Sequence, residues 1–191
     1  MRKTYYLLMI IPALAFAGCN DRKAASNEPV ATVADDELLD VVERRTFNYF
    51  WSGAEPNSGL ACERIHIDGD YPENDRHIVT TGGSGFGILA LLAGMERNYI
   101  TREQGLDRMN RILTFLEKAD AFHGAFPHWL DGQTGRVKPF GKKDNGGDLV
   151  ETAFLFQGLL AVHQYYISGS DAEKTAAARI DALWKRVEWD W

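Results

Sequence analysis

Three acidic residues within residues 144–151 have the types and the spacing that acid–base chemistry requires. Asp144, Asp148 and Glu151 are spaced at i, i+4 and i+7, so a continuous helix would place them within an arc of roughly 60°. Like charges on one helical face destabilise a helix by about 0.2–0.5 kcal/mol per pair, so stability gives little reason for the cluster. Acid–base catalysis does give a reason, because it needs carboxyl groups held close together. We therefore predict that these three residues are catalytic.

A structural role for part of this cluster is the alternative. Asp148 followed three residues later by Glu151 is also the pattern of a capping box, and the helix dipole favours carboxylates in a first turn. Asp144 is not needed for a capping box, which favours the active-site interpretation. Gly146 and Gly147 lie beside the acids and have no side chains, so a substrate could approach their backbone closely.

Apolar periodicity predicts an all-α fold of five helices. The second and fourth are apolar on most sides, as expected of buried helices, and the others are amphipathic. A short hairpin within residues 126–137 is the one β feature that the sequence indicates. The expected helices span residues 36–52, residues 86–98, a segment that begins at Thr101, residues 148–167 and a segment that begins at Ser170.

Local signals place the helix ends and faces. Thr101 with Gln104, and Ser170 with Glu173, each fit a capping box. The first helix has one apolar stripe, which is composed of Leu38, Leu39, Val42, Thr46, Tyr49 and Phe50.

The connections between the helices are unequal in length. About thirty residues precede the second helix and about twenty-five separate the third from the fourth, whereas the other connections are short. Both long loops therefore lie at the N-terminal ends of the buried helices, where we expect function. Amphipathic helices that alternate with buried ones predict an inner and an outer layer, as in an α/α toroid. A closed ring of that kind needs about twelve helices, so the five predicted here would form an incomplete one.

The first long loop contains Glu63 and Arg64, which we predict to bind substrate. It ends in the glycine-rich run 80–85. That run could bind an anion through its backbone amides, but a tight entry turn with Ser84 as the helix cap is the simpler interpretation.

The second long loop interleaves aromatic residues with histidines. His123, Phe126, His128 and Trp129 are typical of a sugar-binding loop, because the C–H faces of a pyranose pack on aromatic rings. The alternative is that Phe126 and Trp129 fix the loop to the core, and we expect one ring to perform each role.

Composition and cysteine usage exclude several kinds of partner. The formal net charge of −6 argues against binding to nucleic acid. His66, Asp68 and Asp70 lack the bidentate acid of a calcium loop, and Cys62 alone cannot build a cysteine zinc site. We therefore expect neither a metal nor a cofactor.

The first residues fit a bacterial export signal. Arg2 and Lys3 precede an apolar stretch over residues 5–17 that is short for a membrane span. Residues 16–19 resemble a lipobox, which implies cleavage after residue 18 and lipidation of Cys19; an ordinary signal peptide is the alternative. Residues 19–35 fit a flexible tether and residues 36–191 a folded domain. We expect an exported lipoprotein, periplasmic or on the outer membrane or cell surface.

Three long motifs together resemble the glucoamylase-like family of bacterial glycoside hydrolases, the group that contains the endo-β-1,2-glucanases. They lie at residues 80–87, 122–129 and 143–154. The resemblance implies an (α/α)6 toroid that acts on β-1,2-linked glucan or sophorose-type oligosaccharides, with the family's acids at Asp144, Asp148 and Glu151. The family domain is longer, so this chain is expected to be its N-terminal portion, with a further acid beyond Trp191.

The predicted activity is hydrolysis of a glycosidic bond. This reaction uses one protonated carboxyl and a second carboxylate as base or nucleophile. We expect Glu151 to donate the proton or to orient the donor, and Asp144 and Asp148 to hold sugar hydroxyls or a water. Two alternatives stay open: a non-catalytic glycan-binding surface lipoprotein, and a truncated, inactive product. A complete domain would be monomeric.

Overall fold

The computed structural model describes residues 34–139 and 141–191, which contain five helices and a small sheet. The elements are α1 (Asp35–Trp51), β1 (Ile78–Thr80), α2 (Thr81–Glu96), α3 (Arg102–Leu116), β2 (Trp129–Asp131), α4 (Leu149–Tyr166) and α5 (Asp171–Lys185). The described residues are thus mostly helical, as predicted, but the two strands make the all-α prediction incomplete.

Helices α2 and α4 form the central pair. α1 packs on α2, α5 packs on α4, and α3 contacts both α2 and α5. Two glycines allow the central helices to approach closely: a Cβ on Gly85 would lie 2.0 Å from the carbonyl oxygen of Phe154, and one on Gly158 would lie 2.3 Å from that of Gly85. The fully buried Leu155, Phe156 and Leu159 show that α4 contributes to the core, as its apolar sequence predicts.

The predicted capping boxes are confirmed. The Thr101 hydroxyl accepts from the Gln104 amide, and the Ser170 hydroxyl accepts from the Glu173 amide. In both cases the side chain three residues on accepts from the cap's own amide, so the starts of α3 and α5 are fixed locally.

The start of α2 differs from the prediction. The glycine-rich run is part of the helix, which begins at Thr81 and not at Phe86. Ser84 therefore does not cap it; its hydroxyl donates to the Thr80 carbonyl at 2.5 Å and accepts from the Ala61 amide at 3.0 Å. Two of the glycines, Gly82 and Gly85, lie against α4 and are needed for that packing rather than for a turn.

The two long loops meet in the small sheet. β1 and β2 are antiparallel, with Val79 opposite Leu130. The predicted hairpin within residues 126–137 is represented by a single bridge between Leu130 and Val137, while the main partner of β2 comes from the other loop. This pairing brings both loops to the N-terminal end of α2.

The first half of the apolar stripe predicted on α1 does not face the core. The helix has the expected bounds and one buried residue, Phe47, but three members of the stripe are each at least half exposed: Leu38, Leu39 and Val42. α1 contacts α2 through Phe47 and Phe50. Their rings would lie 2.2 Å from a Cβ on Gly94 and 2.9 Å from a Cβ on Gly87, respectively.

The predicted signal peptide and the lipidation site at Cys19 lie outside the described residues, as does nearly all of the tether. Within the part that the structure describes, no helix has the length and apolar character needed to cross a membrane.

Candidate active site

Asp148 stands at the start of α4 and serves both as its cap and as a partner of His128. Its Oδ1 accepts from the amides of Val150 and Glu151 at 2.9 and 3.0 Å. Its Oδ2 lies 3.3 Å from Nδ1 of His128. Asp148 therefore caps α4 and contacts His128 at the same time, because its carboxylate uses one oxygen for each contact.

Glu151 does not close a capping box on Asp148. Its Oε2 instead accepts a hydrogen bond from the amide of Gly82 at 2.7 Å. The first amides of a helix have no partner within that helix, and its dipole attracts a negative charge there, so the start of α2 favours this carboxylate. Glu151 thus joins the first turns of α4 and α2.

Two threonines fix the second long loop to these helix starts. The Thr152 hydroxyl accepts from the Phe126 amide at 2.9 Å, and the Thr81 hydroxyl donates to the Pro127 carbonyl at 2.6 Å. The Thr81 amide also donates to the His128 carbonyl at 3.1 Å. Neither threonine was predicted as a site residue, although a hydroxyl in the first turn of a buried helix is a signal that the helix can hold a loop.

The structure separates the roles of the two aromatic residues in this loop. Phe126 is fully buried in the core, so its predicted contact with substrate is wrong: the ring has no surface to offer. Trp129 is half-buried, and its ring stands edge-on to that of His128 with centroids 5.5 Å apart. Of the two rings, Phe126 packs in the core and Trp129 keeps part of its surface exposed.

Asp144 does not share a helical face with the other two acids. α4 begins at Leu149, so the predicted arc is wrong for Asp144, which lies in the preceding loop, where its amide donates to the Gly141 carbonyl at 3.1 Å. Gly146 is in open space, since a Cβ there would meet no atom within 4 Å. The acids that the structure brings together are Asp148 and Glu151.

A small cavity includes two predicted substrate-binding residues, His123 and Gly147. It has a volume of about 140 Å³, and Trp191 is among its other lining residues, whereas Asp148 is not. The rings of His123 and Trp191 stack with centroids 3.9 Å apart, and Nδ1 of His123 lies 3.0 Å from Oε2 of Glu188. Glu188 and Trp191 were not predicted as site residues, because their proximity to His123 depends on the fold.

Glu63 and Arg64 contact each other at the far end of the sheet. Nη2 of Arg64 donates to Oε1 of Glu63 at 2.9 Å. The Glu63 amide donates to the carbonyl of Ile78, whereas α2 follows from Thr80 at the opposite end of β1. Within the described ranges, no group of three or more His, Cys, Asp or Glu residues is arranged to hold a metal ion.

The chain belongs to the family described as "Protein of unknown function (DUF3131)", whose model matches residues 42–159. It is also 50% identical over its whole length to an exo β-1,2-glucooligosaccharide sophorohydrolase (non-reducing end) from Parabacteroides distasonis, of which it spans 25%.

Solved structures that are similar to this chain also include a β-1,2-glucan hydrolase. The chain matches an endo-β-1,2-glucanase from Chitinophaga pinensis, solved with sophorotriose and glucose, at 64% identity and a TM-score of 0.83, over 84% of this chain and 38% of that one. A candidate glucoamylase from Bacteroides caccae matches at 71% identity and a TM-score of 0.81, over 83% and 38%. The resemblance to the glucoamylase-like group is confirmed, and the chain spans well under half the length of these relatives.

Proposed function

We propose that this chain is part of a glycoside hydrolase that acts on β-1,2-linked glucan or its oligosaccharides. The observation that carries the proposal is the junction at which Glu151 binds the start of α2 while Asp148 contacts His128. Relatives named as β-1,2-glucan hydrolases, at 50% and 64% identity, support the substrate class.

The geometry favours different roles for the carboxylates. The α4 amides hold one oxygen of Asp148, and His128 contacts the other. This fixed position suits Asp148 to holding a sugar hydroxyl or a water together with His128. Glu151 is fixed through one oxygen on the first turn of α2, where a negative charge is favoured, so of its two predicted roles this position suits orienting the proton donor rather than donating the proton. Asp144, from the loop, would contact the sugar from the side of Gly146.

The small cavity at Gly147 would hold one sugar ring. His123 and Gly147, both predicted to contact substrate, line it, and Trp191 adds an aromatic face. Trp129 would present its half-buried ring from the neighbouring loop. Glu63 and Arg64 would contact a longer substrate at the far end of the sheet.

We further propose that α2 and α4 belong to the inner layer, and α1, α3 and α5 to the outer layer, of an (α/α)6 toroid. Exposed apolar side chains support this arrangement. Phe86 and Phe154 pair with ring centroids 5.5 Å apart although both are about half exposed, and α1 exposes Leu38 and Leu39. Further helices, as the longer relatives could provide, would cover these surfaces.

A lipid anchor at Cys19 is proposed from the sequence motif. Expression in a Gram-negative host with an alkyne-labelled fatty acid should label the chain, and Cys19→Ser should abolish the label. Labelling of the Ser variant would contradict the anchor site.

A hybrid enzyme tests the proposed activity. In the Chitinophaga pinensis endo-β-1,2-glucanase, the segment aligned with residues 34–191 is replaced by that of this chain. We expect the hybrid to release new reducing ends from β-1,2-glucan, because the segment would supply its share of the catalytic groups. A folded hybrid that binds sophorose-type sugars by calorimetry but releases no product would favour the glycan-binding alternative.

A further inference from the structure

A groove on the solvent-facing side of α3 is separate from the candidate active site. Its volume is about 420 Å³, within the range of about 300–1,000 Å³ that is typical of small-molecule sites. It lies between the C-terminal half of α3 and the turn that contains Gln133, Thr134 and Gly135. None of the residues to which we assign a role in hydrolysis lines this groove.

The groove is positively charged although the chain as a whole is acidic. Arg111 and Lys118 line it, no acidic residue does, and the formal net charge of the chain is −6. Within residues 34–139 and 141–191, neither cation forms an ion pair with a carboxylate. Nη1 of Arg111 donates to the Pro56 carbonyl at 3.1 Å, which holds the guanidinium in place and leaves its other N–H groups available.

The acidic residues nearest to Lys118 in sequence are already paired with arginines. Oε1 of Glu117 lies 2.7 Å from Nε of Arg179, and Oδ1 of Asp120 lies 3.3 Å from Nη1 of Arg136. Asp107, one turn before Arg111 on α3, lines a neighbouring pocket and not this groove. The groove lining therefore has two cations and no acid, so an anionic ligand would be attracted to it.

The remaining lining combines amides with an aromatic ring. Oδ1 of Asn110 accepts from Arg179 at 3.1 Å, which leaves its NH2 group to donate into the groove. The Gln133 side chain is exposed, and Phe115 packs against the core while it also lines the groove. Amides pair with sugar hydroxyls, and an aromatic ring packs on the C–H face of a sugar.

We propose that this groove binds a saccharide that carries an oxyanion, either a carboxylate or a phosphate. The Arg111 guanidinium, whose planar fork matches an oxyanion, and the Lys118 ammonium bind the charged group. Asn110 and Gln133 bind the hydroxyls, and Phe115 contacts the ring. The site shares no residue with the proposed hydrolase site, so either proposal can fail without the other.

Ligand-detected NMR titration of the full 191-residue chain tests this site with four probes: glucose 6-phosphate, glucuronic acid, glucose and inorganic phosphate. We expect at least one of the two charged sugars to bind about tenfold more tightly than glucose, because glucose lacks the charge that Arg111 and Lys118 recognise. The tighter of the two identifies the oxyanion. Binding should weaken as salt is added.

Variants locate the binding. Lys118→Gln removes one of the two charges, and the Lys118 side chain makes no hydrogen bond in the described part of the chain. Arg111→Gln removes the other charge. Each substitution should weaken the binding of the charged sugar about fivefold to tenfold. Lys174→Gln, an exposed lysine of α5 outside the groove, should leave the affinity unchanged. The proposal would be overturned if glucose bound as tightly as both charged sugars, or if inorganic phosphate did. It would also be overturned if neither groove variant weakened the binding of the charged sugars, or if no probe bound at all.

Discussion

The carboxylate of Glu151 accepts a hydrogen bond from the amide of Gly82 at 2.7 Å, across a separation of 69 residues. The contact joins the first turns of the two central helices at the point where both long loops meet. It also accounts for the glycine, because a Cβ at position 82 would lie 2.5 Å from Oε2 of Glu151. A single contact thus links the packing of α2 on α4 to the candidate active site.

Gly82→Ala should destabilise the protein by about 1–3 kcal/mol, because the added methyl must displace Glu151 or separate the helices. Urea unfolding measures the change. Gly146→Ala is the matched control: its Cβ meets no atom within 4 Å, so we expect a change within about 0.5 kcal/mol. Equal stabilities of the two variants would show that the close approach at Gly82 is unimportant.

Two substitutions at Asp148 separate its structural role from its chemical role. Asp148→Ala removes the cap of α4 and should reduce the free energy of unfolding by about 1 kcal/mol, whereas Asp148→Asn keeps a capping oxygen and should change it by a few tenths. In the hybrid enzyme, however, the Asn variant should lose at least about tenfold in activity, because the charge next to His128 is gone. If the hybrid that carries Asp148→Asn keeps full activity, the role of Asp148 is limited to capping α4.

The stability of the α3–α5 contact should depend on acid pH through Glu173. Burial alone would raise the pKa of this carboxyl, but hydrogen bonds from Ser170 and the ion pair with Arg102 outweigh it, and the pKa is lowered. A folded pKa below the unfolded value, about 4.3, means that the stabilisation is complete above that pH and is lost as the pH falls through the folded pKa.

Glu173→Gln should therefore flatten the dependence of the unfolding free energy on pH below about 4.3. Thermal unfolding measured from neutral to acid pH provides the comparison. Glu103 is an exposed glutamate in the first turn of α3 and serves as the control. In Glu103→Gln, the unfolding free energy should depend on acid pH as it does in the unmodified chain. If the unfolding free energy of the Glu173 variant fell with acid pH as steeply as that of the unmodified chain, other groups would be responsible for the loss of stability in acid.

Cys62 should be unreactive in the folded protein. Burial, with a contribution from Glu55, raises the pKa of its thiol to about 11, so the nucleophilic thiolate is scarce at neutral pH. We expect alkylation by iodoacetamide to be much slower in the native state than in concentrated urea, as followed by mass spectrometry of the peptide that contains Cys62. Similar rates in both conditions would mean that the thiol is accessible.

Local patterns in the sequence predicted local structure well. The capping boxes at Thr101 and Ser170 and the bounds of α1 follow from residues a few positions apart, and the structure has them where expected. α2 was placed five residues too late, because a run of glycines normally favours a turn. Its helical state depends on packing against α4, which no local pattern reveals.

The sequence predicted that both long loops lie at the starts of the two buried helices, but it did not predict the contacts made there. Which of Phe126 and Trp129 enters the core depends on packing between distant segments. The same holds for the Glu151 carboxylate, which accepts from the Gly82 amide and not from the amide of Asp148. The pairing of β1 with β2 was missed for the same reason.

The most direct test of the account is the rate at which the hybrid enzyme hydrolyses β-1,2-glucan when Glu151 is replaced. Glu151→Gln keeps the size of the side chain and an oxygen for the Gly82 amide, but it removes the charge that orients the proton donor, so we expect the rate to fall by about 10²–10⁴-fold with the fold intact. Glu103→Gln in the same hybrid should keep full activity. A Glu151→Gln hybrid that hydrolyses the glucan at the unmodified rate would contradict the catalytic role of Glu151 and the active site built around it.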